Sequence, residues 1–477
     1  MKSKHRPINS VSRREFLWRY GGGLGGLALA HLMGCGDSLT SGSFLSKEQH
    51  VPHHLPKAKR VIQLFMSGAA SQVDTFDYKP ELIKRAGMPF DPGGKVELFQ
   101  SSPGVVMPSP WEWKQYGECG KWVSGLVPHL AQCVDDIAFL PSMVATSNVH
   151  GPATFMQNTG FVLPGFPSVG AWVSYGLGKI TDNLPTFVVL PDSRGYGPGG
   201  PKNWGSGFLP SNHQGTLVRP SLENPIADLF PPEDEFITSQ ADKDGMEVLN
   251  QLNRAHLKNR EQEGRIQSYE LAARLQLAAP EVFSMEGESE SIKKLYGLDS
   301  PVTEDFGRNC LIARRLLERG TRFVQIWSGA DNAFPRRNWD SHEDLKKDHG
   351  EMAASMDKPA AALLIDLKQR GMLDDTIVFW TTEFGRMPCS QGSAGRDHNP
   401  FTFTSWVAGG GIKGGVTYGA SDEWSYKAVE NPIYCYDLHA TILHQLGIDH
   451  KRLTVQNNGI DRRLTDVHGH VIKDIIA

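Results

Sequence analysis

The chain runs to 477 residues with 39% hydrophobic content, enough to bury a large core and, by length alone, to form two or three domains. Its 49 basic residues against 53 acidic ones leave a net charge of −4, and with no basic run the composition excludes a nucleic-acid partner. Fifty glycines and 30 prolines point to a loop-rich α/β chain and away from a helical bundle.

The N-terminus carries Ser12-Arg13-Arg14-Glu15-Phe16-Leu17, a twin-arginine export motif, followed by a weakly apolar run from Gly21 to Met33. That run is too short to span a bilayer comfortably, so residues 1–35 read as a signal peptide with the twin-arginine translocase as its transient partner. The mature chain is then expected in the periplasm or outside the cell. This route carries folded chains, which suits a protein loaded with metal before export. Leu32-Met33-Gly34-Cys35 matches a lipoprotein cleavage box except for Met33, where a smaller residue is usual; lipid on Cys35 would tether the protein to a membrane. Residues 36–59 are rich in Ser, His and Pro, lack periodicity and read as a linker. The other cysteines lack CxxC spacing and form no zinc motif; a Cys119–Cys133 pair and buried free thiols both stay open.

From residue 60 to the end the chain reads as one domain. Arg60–Met66 is an apolar strand, followed by a small-residue loop whose nearest carboxylate is Asp74, a metal-ligand candidate or a turn residue. A helix from Pro128 leads into a strand at Ile137–Leu140. The next loop holds Thr146, Ser147, Thr154 and His150, whose imidazole titrates near neutrality and suits a ligand or an acid/base. A short helix within Phe166–Gly178 precedes the strand Leu184–Leu190. A Gly/Pro-rich loop carrying Trp204 and Phe208 follows, and its length predicts a pocket wall. Helical periodicity from Asp242 to Met285 predicts an insertion outside the sheet, at about 242–300, and Asp305–Arg319 reads as an amphipathic helix.

Two strand ends then carry the chemistry. The strand Thr321–Trp327 precedes a loop with Asp340 and His342, and Asp348-His349 offers a second pair nearby. A helix at Ala353–Leu373 returns the chain to the strand Thr376–Trp380, which stops at Thr381, Thr382, Glu383 and Arg386; Asp397-His398 follows in a Gly/Ser-rich loop. A strand–helix–strand crossover of a parallel sheet brings both loops to one edge, where ligands of open α/β sheets sit. Carboxylates and imidazoles gathered there suit a divalent cation: Zn, Ca, Mg or Mn. The C-terminal helix within Tyr436–Gly447 carries His439 and His444 at a spacing that does not share a face, so both read as structural.

The block TTEFGRMP, GRDHNP and AGGGIKGG, with the helix after Tyr436 and the run Asp461–Val467, resembles the DUF1501 family over nearly the whole mature chain. That family is similar in organisation to the alkaline phosphatase/sulfatase superfamily. The resemblance implies a three-layer α/β fold, a mainly parallel sheet flanked by helices. It implies a metal-dependent hydrolase of an anionic phosphate or sulfate ester. The metal would be held by Asp74, Asp340, His342, Glu383, Asp397 and His398; Glu383 would be ligand or base, Arg386 would hold the anion and His150 would assist proton transfer. Three departures oppose it: Ser67 stands where the superfamily's first strand is followed by aspartate, Glu383-Phe384-Gly385 replaces Asp-His-Gly or Asp-Asn-Gly, and no nucleophile motif surrounds Thr146, Ser147 or Thr154. The alternative they imply is an exported binding or assembly module, inactive on a hydrolase scaffold.

Overall fold

Eight short apolar runs assemble into one sheet in a computed structural model that describes residues 52–222 except Gln100, 224–226, 281–477 and scattered positions between 244 and 275. The export motif, Cys35 and about half of the expected helical insertion lie outside the described residues, among which no helix is long and apolar enough to cross a membrane. The strands are β1 (Arg60–Met66), β2 (Ile137–Met143), β3 (Phe187–Leu190), β4 (Thr216–Leu217), β5 (Phe323–Ser328), β6 (Thr376–Thr381), β7 (Phe403–Ala408) and β8 (Val416–Thr417). Their spatial order is β8-β2-β7-β6-β1-β5-β3-β4. β1 lies at the centre, in parallel register with β5 (Val61 opposite Phe323) and β6 (Arg60 opposite Thr376). Of the eight, β7 runs antiparallel to both its neighbours, β2 and β6.

The alternation within β1 builds the three layers, because successive side chains of a strand point to opposite faces. Ile62, Leu64 and Met66 join the core beneath α3 (Glu304–Glu318) and α4 (Leu345–Gln369). Val61 and Phe65 join the core on the other face, beneath α1 (His150–Thr159), α2 (Val169–Leu177) and α5 (Cys435–Gln445). Central strands buried on both faces read as continuous apolar runs, which is why β1 and β6 were visible in the sequence.

Several elements differ from expectation for local reasons. The stretch after Pro128 forms a 3₁₀ turn at Leu130–Asp136, whose leading N–H groups at His129 and Leu130 are taken by the Asp357 carboxylate at 2.8 Å each. α4 starts at Leu345, eight residues before the periodicity suggests, because the Asp344 side chain caps it by accepting from the Lys347 N–H at 3.1 Å. That early start carries Asp348 and His349 into the helix. Trp204 and Phe208 turn inward, against Trp327 and Trp172 with ring centroids 5.8 and 6.0 Å apart, so the aromatics expected to wall a pocket are core packing. Cys119 and Cys133 are both free thiols, one exposed and one buried.

Two fully buried histidines make stability pH-dependent. His349 Nε2 accepts the Ser71 N–H at 3.1 Å, and burial pushes its pKa down to about 3. His439 donates from Nε2 to the Gln157 carbonyl at 3.0 Å, and burial lowers it to about 4. A base whose folded pKa lies below its unfolded value stabilises the fold above the unfolded value, near 6.5, and loses that contribution as pH falls through the folded one. Urea unfolding at pH 7, 5.5 and 4.5 should show the contribution of these two groups falling away below pH 6.5. His439→Gln should remove on the order of 3 kcal/mol of that fall; an unchanged pH profile would contradict the assignment.

Candidate metal centre

Five chain segments meet at the edge where β1, β5 and β6 end. β1 runs into Ser67-Gly68, β5 into the loop bearing Asp340 and His342, and β6 into Thr382-Glu383. The fourth, His398-Asn399, forms a short antiparallel ladder with Gly385-Arg386 before β7 begins. The turn after β2 adds His150 as the first residue of α1. Gly68 permits the close approach: its φ is +106°, and a Cβ there would stand 2.6 Å from the backbone nitrogens of Trp339 and Asp340.

Asp340 is the hub. Its Oδ1 lies 2.9 Å from His342 Nε2, 3.3 Å from His150 Nε2, 3.4 Å from His398 Nε2 and 2.7 Å from Arg386 Nη2. Oδ2 accepts from Arg336 Nη1 at 2.8 Å. Burial alone would raise the Asp340 pKa, but the Arg386 guanidinium against it reverses this and holds it far below the usual carboxylate range. Burial likewise pushes His398 down to about 3, with Asp340 opposing, so this ring is neutral at physiological pH. For His150, burial opposes protonation, yet the carboxylates of Asp340 and Glu383 outweigh it and raise the pKa.

The far side of each ring fixes its tautomer. His150 Nδ1 faces Glu383 Oε1 at 2.7 Å, His398 Nδ1 faces the Asn148 carbonyl at 2.7 Å, and His342 Nδ1 faces Gln391 Oε1 at 2.5 Å. Each partner is an acceptor, so each ring donates from Nδ1 and, when neutral, aims an Nε2 lone pair inward. His150 Nε2 is buried with no hydrogen-bond partner, and the Nε2 atoms of His342 and His398 face one another at 3.0 Å. Lone pairs converging on a carboxylate oxygen repel unless a cation or protons stand between them. Donor atoms bound tetrahedrally at roughly 2.0–2.2 Å stand about 3.3–3.6 Å apart, close to the spacing here. His150, Asp340 and His398 place their donor atoms all within 4.8 Å of one another and fit a cation; His342 lies beside this trio.

The remaining sequence candidates have other partners. Glu383 is fully buried and behind His150: its Oε1 also accepts from the Gly68 N–H at 2.8 Å, and its Oε2 from Thr382 Oγ1 at 3.1 Å. Asp74 stands in a separate buried pair, accepting from Arg396 Nε at 2.8 Å, Arg396 Nη2 at 3.1 Å and Ser71 Oγ at 2.5 Å. Asp397 fastens a neighbouring strap, its Oδ2 accepting from the Phe99 and Ser101 N–H groups and from Ser101 Oγ at 2.8 Å. The strap lays the Phe99 ring flat on His398, centroids 4.7 Å apart. Arg386 spends its donors on backbone carbonyls of Gly68, Ala69, Trp339 and Arg396 as well as on Asp340, and none of its side chain reaches solvent. It ties the strand-end loops together and has no edge left for a substrate anion. Ser147 Oγ accepts from the Val149 N–H at 3.1 Å, and Thr154 is buried one turn beyond His150. Sequence reasoning missed Arg336, Gln391, Phe99 and the Asn148 carbonyl. Of these only Arg336 had a sequence signal, a basic residue four before Asp340.

Comparison with solved structures finds distant likenesses. A protein of the alkaline phosphatase superfamily from Vibrio parahaemolyticus is 12% identical, with 84% of this chain and 69% of that one covered, at a TM-score of 0.37. The PsFucS1 sulfatase from Pseudoalteromonas is 12% identical, with 84% and 68% covered and a TM-score of 0.35. Alkaline phosphatase from the Antarctic bacterium TAB5 is 10% identical, with 82% and 98% covered and a TM-score of 0.31. At these values none bears on the chemistry of this chain. Comparison with curated proteins finds no similar sequence. The family described as "Protein of unknown function (DUF1501)" matches residues 58–476, nearly the whole of the described fold, and the chain belongs to it.

Proposed function

We propose that the chain is a metal-dependent hydrolase of anionic esters, acting outside the cytoplasm as its twin-arginine motif implies. One observation carries this reading: three imidazoles, each with Nδ1 committed to an acceptor, aim Nε2 at one carboxylate oxygen. His150, Asp340 and His398 would hold the ion, and imidazole donors suit zinc and its transition-metal neighbours better than calcium or magnesium. A bound ion of this kind polarises an ester oxygen and lowers the pKa of a coordinated water. Glu383, Asn148 and Gln391 orient the rings, as outer partners of metal-bound histidines do. Phe99 and Phe384 exclude water from His398, their ring centroids 4.7 and 4.6 Å from it. His342 is the most exposed of the four, at 12% of its side chain, and would move a proton to or from a coordinated water. No Ser or Thr hydroxyl among the described residues bonds to Asp340 or to the three rings, which favours water as the nucleophile.

A second reading has its own observation. With His342 as a fourth ligand the centre would be closed, and closed four-ligand sites are structural whereas catalytic ones keep a position open. The chain would then be a binding or assembly module stapled by its cation. His342→Ala separates the two. The hydrolase reading expects the ion retained and turnover of p-nitrophenyl phosphate or p-nitrophenyl sulfate lowered at least about 100-fold, the usual worth of a positioned acid or base. The staple reading expects the ion lost and no turnover in the unaltered protein.

A further inference from the structure

Three arginines surround the cluster, and two of them are spent. Arg386 is committed as described, and Arg396 gives its donors to Asp74 and to the carbonyls of Met387 and Met107. Both side chains are fully buried. Arg336 differs in each respect. Its side-chain partners are the carboxylates of Asp340 and Glu343, it sits in the loop between β5 and Trp339, and 15% of its side chain reaches solvent. Nη1 holds Asp340 Oδ2 at 2.8 Å, which anchors the guanidinium directly against the cluster. The edge made by Nε and Nη2 faces outward and carries the Glu343 carboxylate, with Nη2 at 3.0 and 3.1 Å from its two oxygens and Nε at 3.3 Å. Glu343 is itself 57% exposed.

We infer that Arg336 is the anion-recognition residue of this centre, and that the Glu343 carboxylate occupies the place of the substrate's charged group. A guanidinium edge presents two parallel N–H groups that match the oxygens of a carboxylate, a phosphate or a sulfate alike. Glu343 is the exposed member of the pair and can swing into solvent, while an incoming dianion offers the same edge matching oxygens and a second negative charge. Asp340 meanwhile keeps Nη1 in place, so the guanidinium links an anion on its outer edge to the cluster. The inference rests on the hydrolase reading for its ester substrate, but binding of the anion alone does not require turnover.

The test is calorimetric titration of inorganic phosphate and of sulfate into the full mature chain, with metal content measured on the same samples. Arg336→Gln should weaken anion affinity at least about 10-fold with the ion retained, and Arg336→Lys should weaken it less. Glu343→Gln should tighten binding several-fold, an outcome that misfolding cannot imitate. Unchanged affinity in both the Arg336→Gln and Glu343→Gln proteins would overturn the inference. So would loss of the ion in Arg336→Gln with anion affinity intact, since Arg336 would then only support Asp340. Failure of the hydrolase reading shows separately, as absence of ester turnover in the unaltered protein.

Discussion

Replacing Asp340 with alanine should abolish cation binding and cost about 3–5 kcal/mol of stability, the usual penalty for removing one partner from a buried ion pair. The carboxylate is buried and neutralises Arg386 and Arg336 while facing three imidazoles. Without it, Arg386 is a fully buried charge surrounded by carbonyl dipoles alone, and the rings lose the oxygen they share. Asp340→Asn keeps the volume and removes the charge, so it should lose the ion with a smaller structural penalty. Urea unfolding with metal analysis on both variants checks this. A stable Asp340→Ala protein that still holds its ion would show that the hub has been misassigned.

The pair Asp74–Arg396 should behave in the opposite way with respect to metal. Both side chains are fully buried, and two guanidinium nitrogens reach the carboxylate at 2.8 and 3.1 Å. Asp74→Asn or Arg396→Met alone should each cost about 3–5 kcal/mol by leaving a buried charge without its counterpart. The double substitution should recover much of that loss, because removing both charges also removes both desolvation penalties. Cation binding in refolded or stabilised samples should be unchanged, since Asp74 has no contact with the cluster. Additive losses in the double variant would show that the two residues act independently, and loss of the ion in Asp74→Asn would return Asp74 to the ligand set.

These two aspartates also mark what sequence reading reaches. Strand β1 and strand β6 were legible because buried parallel strands are uninterrupted apolar runs, and residues at strand ends converge on one edge whatever the details. That logic brought Asp340, His342, Glu383 and His398 together. Asp74 could not be sorted, because its partner Arg396 is 322 residues away and no local pattern joins them. Asp397 was readable in principle: it adjoins His398 where the chain enters an extended ladder, and neighbours along a strand point to opposite sides. One of the two could face the cluster, and His398 does. Arg386 was misjudged because backbone carbonyls, which take most of its donors, leave no trace in a sequence. Arg336 went unnoticed because its value depends on exposure and on Glu343, both products of the folded loop. The helix α4 began early through a single capping aspartate, a reminder that caps move boundaries that periodicity alone cannot place.

Metal content tests the central claim most directly. Protein purified without chelators should carry about one transition-metal ion per chain by mass spectrometry, the occupancy expected of one tetrahedral centre. His150→Ala and His398→Ala should lose it, while His342→Ala should keep it. An ion-free protein that takes up no zinc, or one whose ion survives the His150 and His398 substitutions, would contradict the assignment of His150, Asp340 and His398 as the metal centre.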